Sequence, residues 1–204
     1  MVIDELNDLF DSVRSGKIDV GVGGISASLE RGKKVSFSKA YLKSSPGALV
    51  AKSILPPDNE GDVLLGKKLK NLLDLKEYAG LSFAVKEGTT NEWYVEKYFT
   101  KSEKTKYRNN DLALEALINN SCNVFIGDNY FIEALLLQKP ELKAGYIPLI
   151  EPVMEQSIAV VIPKNDVKMF FDLDFFIYEL KKTGTIRELK IKYFDNSEWI
   201  PSEK

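Results

Sequence analysis

Residues 23–31 read GGISASLER and directly follow the short apolar segment IDVGV at residues 18–22. The β-branched residues of that segment predict a strand, and glycines at its end let a ligand approach the backbone. Ligands of open α/β sheets bind at the carboxyl ends of strands. Ser26 and Ser28 offer hydroxyl donors there, and the guanidinium of Arg31 suits a carboxylate. The stretch predicts an anion site, although composition alone favours the alternative of a turn with capping serines and a solvated arginine.

Apolar periodicity predicts an alternation of helices and strands along the remaining chain. The predicted strands are 48–51, 81–85, 105–107, 124–126 and 157–162, and the predicted helices are 3–13, 91–99, 111–119, 130–138, 167–180 and 186–193. This alternation indicates an α/β fold with mainly parallel sheets. A parallel unit usually begins with a strand, whereas this chain opens with a helix, and we therefore expect that an N-terminal strand-helix-strand is missing.

Two further polar turns follow predicted strands. In the sequence KEGTTN, residues 86–91, Thr89 and Thr90 precede a helix whose N–H groups suit an anion. The alternative is a plain helix cap, with Thr90 as the capping hydroxyl. Asp128 follows the strand at 124–126 and either caps the next helix or directs its carboxylate at a cationic group. Anion donors together with one carboxylate would suit a small zwitterion, such as an α-amino acid.

Composition excludes several classes of function. The 204 residues carry 28 basic and 30 acidic side chains, and this balance argues against a nucleic-acid partner. The chain has one cysteine and no histidine, which excludes an intramolecular disulfide, a thiolate metal cluster and any histidine-based mechanism. No basic and apolar leader opens the chain, so we expect no signal peptide within it.

A known family matches these motifs in order along nearly the whole chain. The chain resembles the family-3 extracellular solute-binding proteins of amino-acid ABC transporters, which have the periplasmic-binding-protein type II fold. The matching stretches are SGKIDV at 15–20, GISASLER at 24–31, VSFSKAY at 35–41, DLK at 74–76 with Gly80, VKEGT at 85–89, NVFIGD at 123–128 and KKTGTI at 181–186 with KYF at 192–194.

The resemblance implies two α/β lobes with the ligand between them. Lobe 1 would comprise residues 1–50 and 160–204, and lobe 2 would comprise residues 51–159. Arg31 and Ser26 would hold the α-carboxylate, the turn at Thr89 would meet it from lobe 2, and Asp128 would hold the α-ammonium. The complete predicted ligand-binding set is Gly24, Ser26, Ser28, Arg31, Thr89, Thr90 and Asp128.

The implied function is transport without catalysis. The chain would deliver an amino acid to a membrane permease, from the periplasm or from a lipid anchor on the cell surface, and would need no cofactor or metal. One alternative is a sensor or regulatory module with the same lobes. A less favoured alternative is a cyclohexadienyl-dehydratase-like lyase, since Asp128 is the one cleft carboxylate that the sequence offers as a general acid or base.

The chain departs from the family pattern at three places, of which the replacements at Ser36, Lys39 and Ala40 affect a turn only. Nothing matches the first strand-helix-strand, so the predicted strand at 18–22 would lack a neighbour, and we expect self-association through lobe 1. The connection at residues 56–70 is longer than usual and predicts an additional polar surface loop.

Overall fold

The computed structural model describes residues 1–3, 5–55 and 69–201. Two compact units form, the first from Met1–Ser44 with Glu155–Lys204 and the second from Ser45–Met154. These boundaries differ from those expected at residues 50 and 159, because the strand Pro46–Ala51 pairs within the sheet of the second unit. Residues 56–68 of the predicted polar loop at 56–70 lie outside the described residues.

Helices and strands follow one another along both units of the chain. The helices are α1 (Leu6–Arg14), α2 (Leu29–Gly32), α3 (Thr90–Tyr98), α4 (Asn110–Ile118), α5 (Asn129–Gln138), α6 (Leu142–Gly145), α7 (Val167–Lys182) and α8 (Thr185–Lys190). The strands are β1 (Ser36–Phe37), β2 (Leu42–Ser44), β3 (Pro46–Ala51), β4 (Ser82–Lys86), β5 (Glu103–Tyr107), β6 (Val124–Asp128), β7 (Tyr146–Leu149), β8 (Gln156–Ile158) and β9 (Val161–Ile162). Short 3-10 turns cover Lys52–Ile54 and Leu72–Glu77, and a π-helical turn covers Ile191–Asp195.

The second unit is built on a five-stranded sheet with the order β5-β4-β6-β3-β7. Strand β4 pairs in parallel with β5 and β6, whereas β3 runs antiparallel to β6 and β7. Alternate residues of β4 face opposite sides: Phe83 packs in a cluster with Tyr94 and Val95 of α3, and Ala84 packs in a cluster with Leu114 and Leu117 of α4. Helices on both faces confirm the predicted α/β class.

The first unit contains shorter strands. Strand β1 pairs with β9 and β2 pairs with β8, both antiparallel. Helix α1 confirms the predicted N-terminal helix, since Phe10 and Val13 are buried against Ile25 and Val161. The helix ends before Gly16, whose φ of 73° is the left-handed conformation that favours glycine after a helix.

The predicted strand at 18–22 is wrong. Gly21 alone pairs there, donating its N–H to the Val161 carbonyl at 2.9 Å and accepting from the Val161 N–H at 2.8 Å. Val20 and Val22 make no backbone hydrogen bond to any described residue. In an antiparallel ladder the next hydrogen-bonded positions beside Gly21 would be residues 19 and 23. Neither has a bridge partner among the described residues, so the segment forms a single bridge.

The predicted strand at 157–162 is interrupted at Val160. The Val160 N–H donates to the Ser38 hydroxyl at 3.1 Å, and the Ser38 N–H donates to the Val160 carbonyl at 3.0 Å. A side chain thus replaces one rung of the ladder, and the segment becomes the two short strands β8 and β9. Among the described residues, no helix is both long and apolar enough to cross a bilayer.

Candidate functional site

The predicted anion loop lies in the first unit and holds its arginine against the backbone. Arg31 Nη1 donates to the Ser26 carbonyl oxygen at 2.6 Å, and the guanidinium carbon lies 5.6 Å from the centre of the Phe10 ring. Both contacts restrict the orientation of the guanidinium. Arg31 is half-buried, so its guanidinium lies in a partly desolvated environment, where an ionic hydrogen bond is stronger than in water.

The two serines of this loop have different surroundings. Ser28 is the N-cap of α2, and its hydroxyl accepts from the Arg31 N–H at 3.3 Å, as the capping alternative expects. Ser26 is buried, and its hydroxyl donates to Oε1 of the buried Gln156 at 2.7 Å. Gln156 had no signal in the sequence, because it is contributed by β8, 130 residues away.

Gly24 lies beside the half-buried phenol of Tyr41. Its φ of 66° is strained for any residue with a side chain. The Tyr41 hydroxyl hydrogen-bonds the Gly24 backbone, and burial raises the pKa of Tyr41 above its usual value. Tyr41 therefore remains protonated near neutral pH. It contributes no negative charge beside the groups that are predicted to donate hydrogen bonds to a ligand carboxylate.

The second predicted turn lies between β4 and α3 in the second unit. Thr89 is the N-cap of α3, and its hydroxyl accepts from the Glu92 N–H at 3.1 Å and donates to the Lys86 carbonyl at 2.7 Å. The alternative that made Thr90 the capping hydroxyl is therefore wrong, since Thr90 is the first residue of the helix. The pattern Thr89-x-x-Glu92, which is the sequence signature of a capping box, would have identified the cap.

Asp128 ends β6, and its side chain does not cap the helix that follows. Helix α5 has Asp128 at its N-cap position without a side-chain capping hydrogen bond. Asp128 Oδ1 instead accepts from Nδ2 of Asn91, the second residue of α3, at 3.3 Å. Asn91 is buried and was missed by the sequence analysis. This contact brings the carboxylate and the Thr89–Thr90 turn together in one unit.

The chain offers few groups for catalysis or metal binding. The described residues contain no group of three or more carboxylate or thiol side chains arranged to hold a metal ion. Cys122 is buried, and burial raises its pKa above the usual value for a thiol. It therefore stays a neutral thiol at neutral pH and is a structural residue rather than a nucleophile.

Comparisons with known proteins agree on one family. The family model described as bacterial extracellular solute-binding proteins, family 3, matches residues 1–196. The ABC transporter arginine-binding protein 1 of Escherichia coli is 21% identical over 191 residues, which are 92% of this chain and 71% of that protein. The amino-acid-binding protein AabA of Dichelobacter nodosus is 24% identical over 193 residues, covering 93% of this chain and 69% of that protein.

Solved structures share the fold. A binding component of an ABC transporter from Wolinella succinogenes, complexed with lysine, matches with a TM-score of 0.82 and 23% identity, over 98% of this chain and 79% of that one. An ancestral arginine-binding protein bound to glutamine matches with a TM-score of 0.75 and 25% identity, over 93% of this chain and 77% of that one. The type II fold is thereby established for this chain.

Replacement of Thr89 by alanine should lower the free energy of unfolding by about 1 kcal/mol, the usual cost of losing a helix cap. Thr90→Ala is the matched control and should cost less, because its hydroxyl does not cap α3. Urea unfolding followed by circular dichroism measures both. Equal losses in the two variants would contradict the assignment of Thr89 as the cap.

Proposed function

The chain belongs to the bacterial extracellular solute-binding proteins of family 3, and from this membership we propose that it binds an amino acid. The observation that carries the proposal is the carboxylate of Asp128, which contacts Asn91 instead of capping α5. A carboxylate held at the end of a strand suits the α-ammonium of an amino acid. Two relatives whose names specify arginine or amino-acid binding support the same ligand class.

The α-carboxylate of the ligand is assigned to Arg31. Its guanidinium is already oriented by the Ser26 carbonyl, so little side-chain freedom is lost on binding. A charge pair at about 4 Å contributes roughly 4 kcal/mol at an effective dielectric constant near 20, before desolvation is subtracted. Gly24, Ser26 and Ser28 shape this part of the site, and Thr89 and Thr90 supply the start of α3.

The proposed role ends with delivery of the ligand to the permease of an ABC transporter. We place the chain outside the cytoplasmic membrane, in the periplasm or anchored by lipid to the cell surface, as the family is extracellular. No catalytic step belongs to the proposal. The chain has no histidine, and Asp128, the one carboxylate in the proposed site, is assigned to the ammonium. A turnover assay with prephenate or arogenate tests the lyase alternative and should show no product.

A second copy of the chain is the proposed partner of the first unit. An apolar groove of about 410 Å³ is lined by Val20, Val22 and residues of α7 that include Phe176 and Ile177. Val22 is 62% exposed. Its backbone makes no hydrogen bond to a described residue, which leaves an edge open for strand pairing. Self-association would cover the apolar groove and this edge together.

Replacement of Arg31 by alanine should weaken amino-acid binding at least 30-fold, because removing one partner of a desolvated charge pair reduces the binding free energy by roughly 2–5 kcal/mol. Isothermal titration calorimetry with a panel of amino acids measures the effect. Arg14→Ala removes an exposed arginine of α1 in the same unit and should leave affinity unchanged. Unchanged affinity in Arg31→Ala would remove Arg31 from the site.

Replacement of Asp128 by asparagine should weaken binding of amino acids more than binding of their deaminated analogues. Only the amino acids carry the ammonium that Asp128 is proposed to contact. Competition calorimetry compares each amino acid with its analogue, and Asp111→Asn, an exposed change at the start of α4, is the control. An equal loss for both ligand types would show that Asp128 has no contact with the ammonium.

Light scattering should give a mass of twice 23.0 kDa for the chain at tens of micromolar, if two copies cover the groove. Val22→Lys places a charge on the open edge and should shift the protein toward the monomer. Val2→Lys makes the same change at an exposed position away from the groove and should leave the mass unchanged. A monomeric wild-type chain would contradict self-association.

A further inference from the structure

The turn that opens α3 is held by a carboxylate as well as by its cap. Glu92, the third residue of the helix, accepts from the Gly88 N–H through Oε2 at 2.5 Å. Its side chain is only 13% exposed. Gly88 has a φ of 73°, a left-handed conformation that glycine adopts without steric cost. The Glu92 carboxylate therefore fixes the backbone immediately before Thr89.

Lys106 holds this carboxylate from the neighbouring strand. Its Nζ lies 2.5 Å from Glu92 Oε1 and 2.9 Å from Glu96 Oε1. Glu92 and Glu96 are four residues apart on one face of α3, a spacing at which like charges repel. Hydrogen bonds to Glu92 and then to Glu96 raise the pKa of Lys106 above its usual value, so that its charge persists at any physiological pH.

The sheet fixes Lys106 in register with the strand that leads into the turn. Strands β4 and β5 run in parallel, with Val85 opposite Lys106. The pairing continues past β4, since the Glu87 N–H donates to the Tyr107 carbonyl at 2.9 Å. Lys106 thus stands beside the last residues before Gly88, on a rigid element rather than on a loop.

We propose that Lys106 is a positioning residue for the amino-acid site, which orders the 88–90 turn by holding Glu92 and offsets the negative charge of Glu92 beside the ligand carboxylate. The expected effect of Lys106 on ligand affinity rests on the proposed function, whereas its effect on the turn does not. Without Lys106, Glu92 would be repelled by Glu96 and would oppose an anion at the start of α3. Lys106 itself needs no contact with the ligand.

Amide hydrogen exchange of the ligand-free chain tests the positioning. Lys106→Met keeps the apolar stem and removes the charge, and exchange of residues 87–90 should become about five-fold faster, the upper range for losing an exposed ion pair. Lys104 lies on the same strand and forms no ion pair in the described structure. Lys104→Met should therefore leave the exchange of residues 87–90 unchanged. Lys106→Arg should restore slow exchange, and the amides of α4 report any general loss of stability.

Calorimetry at low ionic strength tests the consequence for binding. Lys106→Met should weaken amino-acid affinity about five-fold, while Lys104→Met and Lys106→Arg should stay within about two-fold of wild type. Unchanged exchange in Lys106→Met overturns the positioning role, and faster exchange with unchanged affinity overturns its link to binding. A wild-type chain that binds no amino acid overturns the proposed function instead, and the exchange measurement still decides the role of Lys106.

Discussion

The second unit depends on the hydrogen bonds around one buried serine. The Ser45 N–H donates to Asn129 Oδ1 at 3.1 Å, and the Asn129 N–H donates to the Ser45 carbonyl at 2.9 Å. The Ser45 hydroxyl accepts from the N–H groups of Val153 and Met154. Ser45 is 1% exposed, so any lost bond would leave a buried polar group unsatisfied. Because Asn129 is fixed at the start of α5, Asp128 just before it is fixed as well.

The sequence predicts local structure well wherever one element decides the outcome. Strands β4 and β6 and the helices after them follow from apolar periodicity, since each buries its own face on a common sheet. The segment at 18–22 has the composition of a strand as well, yet it forms one bridge. Strand formation requires a partner on the correct side, and composition carries no information about which segment that is.

The residues of the candidate site likewise differ in whether their roles depend on local or on long-range contacts. Thr89 is predictable as a cap, because the capping box connects residues three apart in the chain. Asn91 and Lys106 are not predictable, because their roles depend on contacts across the fold. Asn91 meets Asp128 at a separation of 37 residues, and Lys106 reaches Glu92 from a neighbouring strand. A polar residue inside a helical pattern does not reveal which strand end it will face.

Two hydroxyl groups among the proposed site residues already donate their protons within the protein. Thr89 donates its proton to the Lys86 carbonyl, and Ser26 donates its proton to Gln156. A ligand carboxylate could take either proton only by breaking a bond within the protein. Arg31 is different, because its guanidinium carries a permanent positive charge that the hydrogen bond to the Ser26 carbonyl does not remove. The proposal therefore assigns the positive charge for a ligand carboxylate to Arg31, while the hydroxyls of Ser26 and Thr89 hold their own loops.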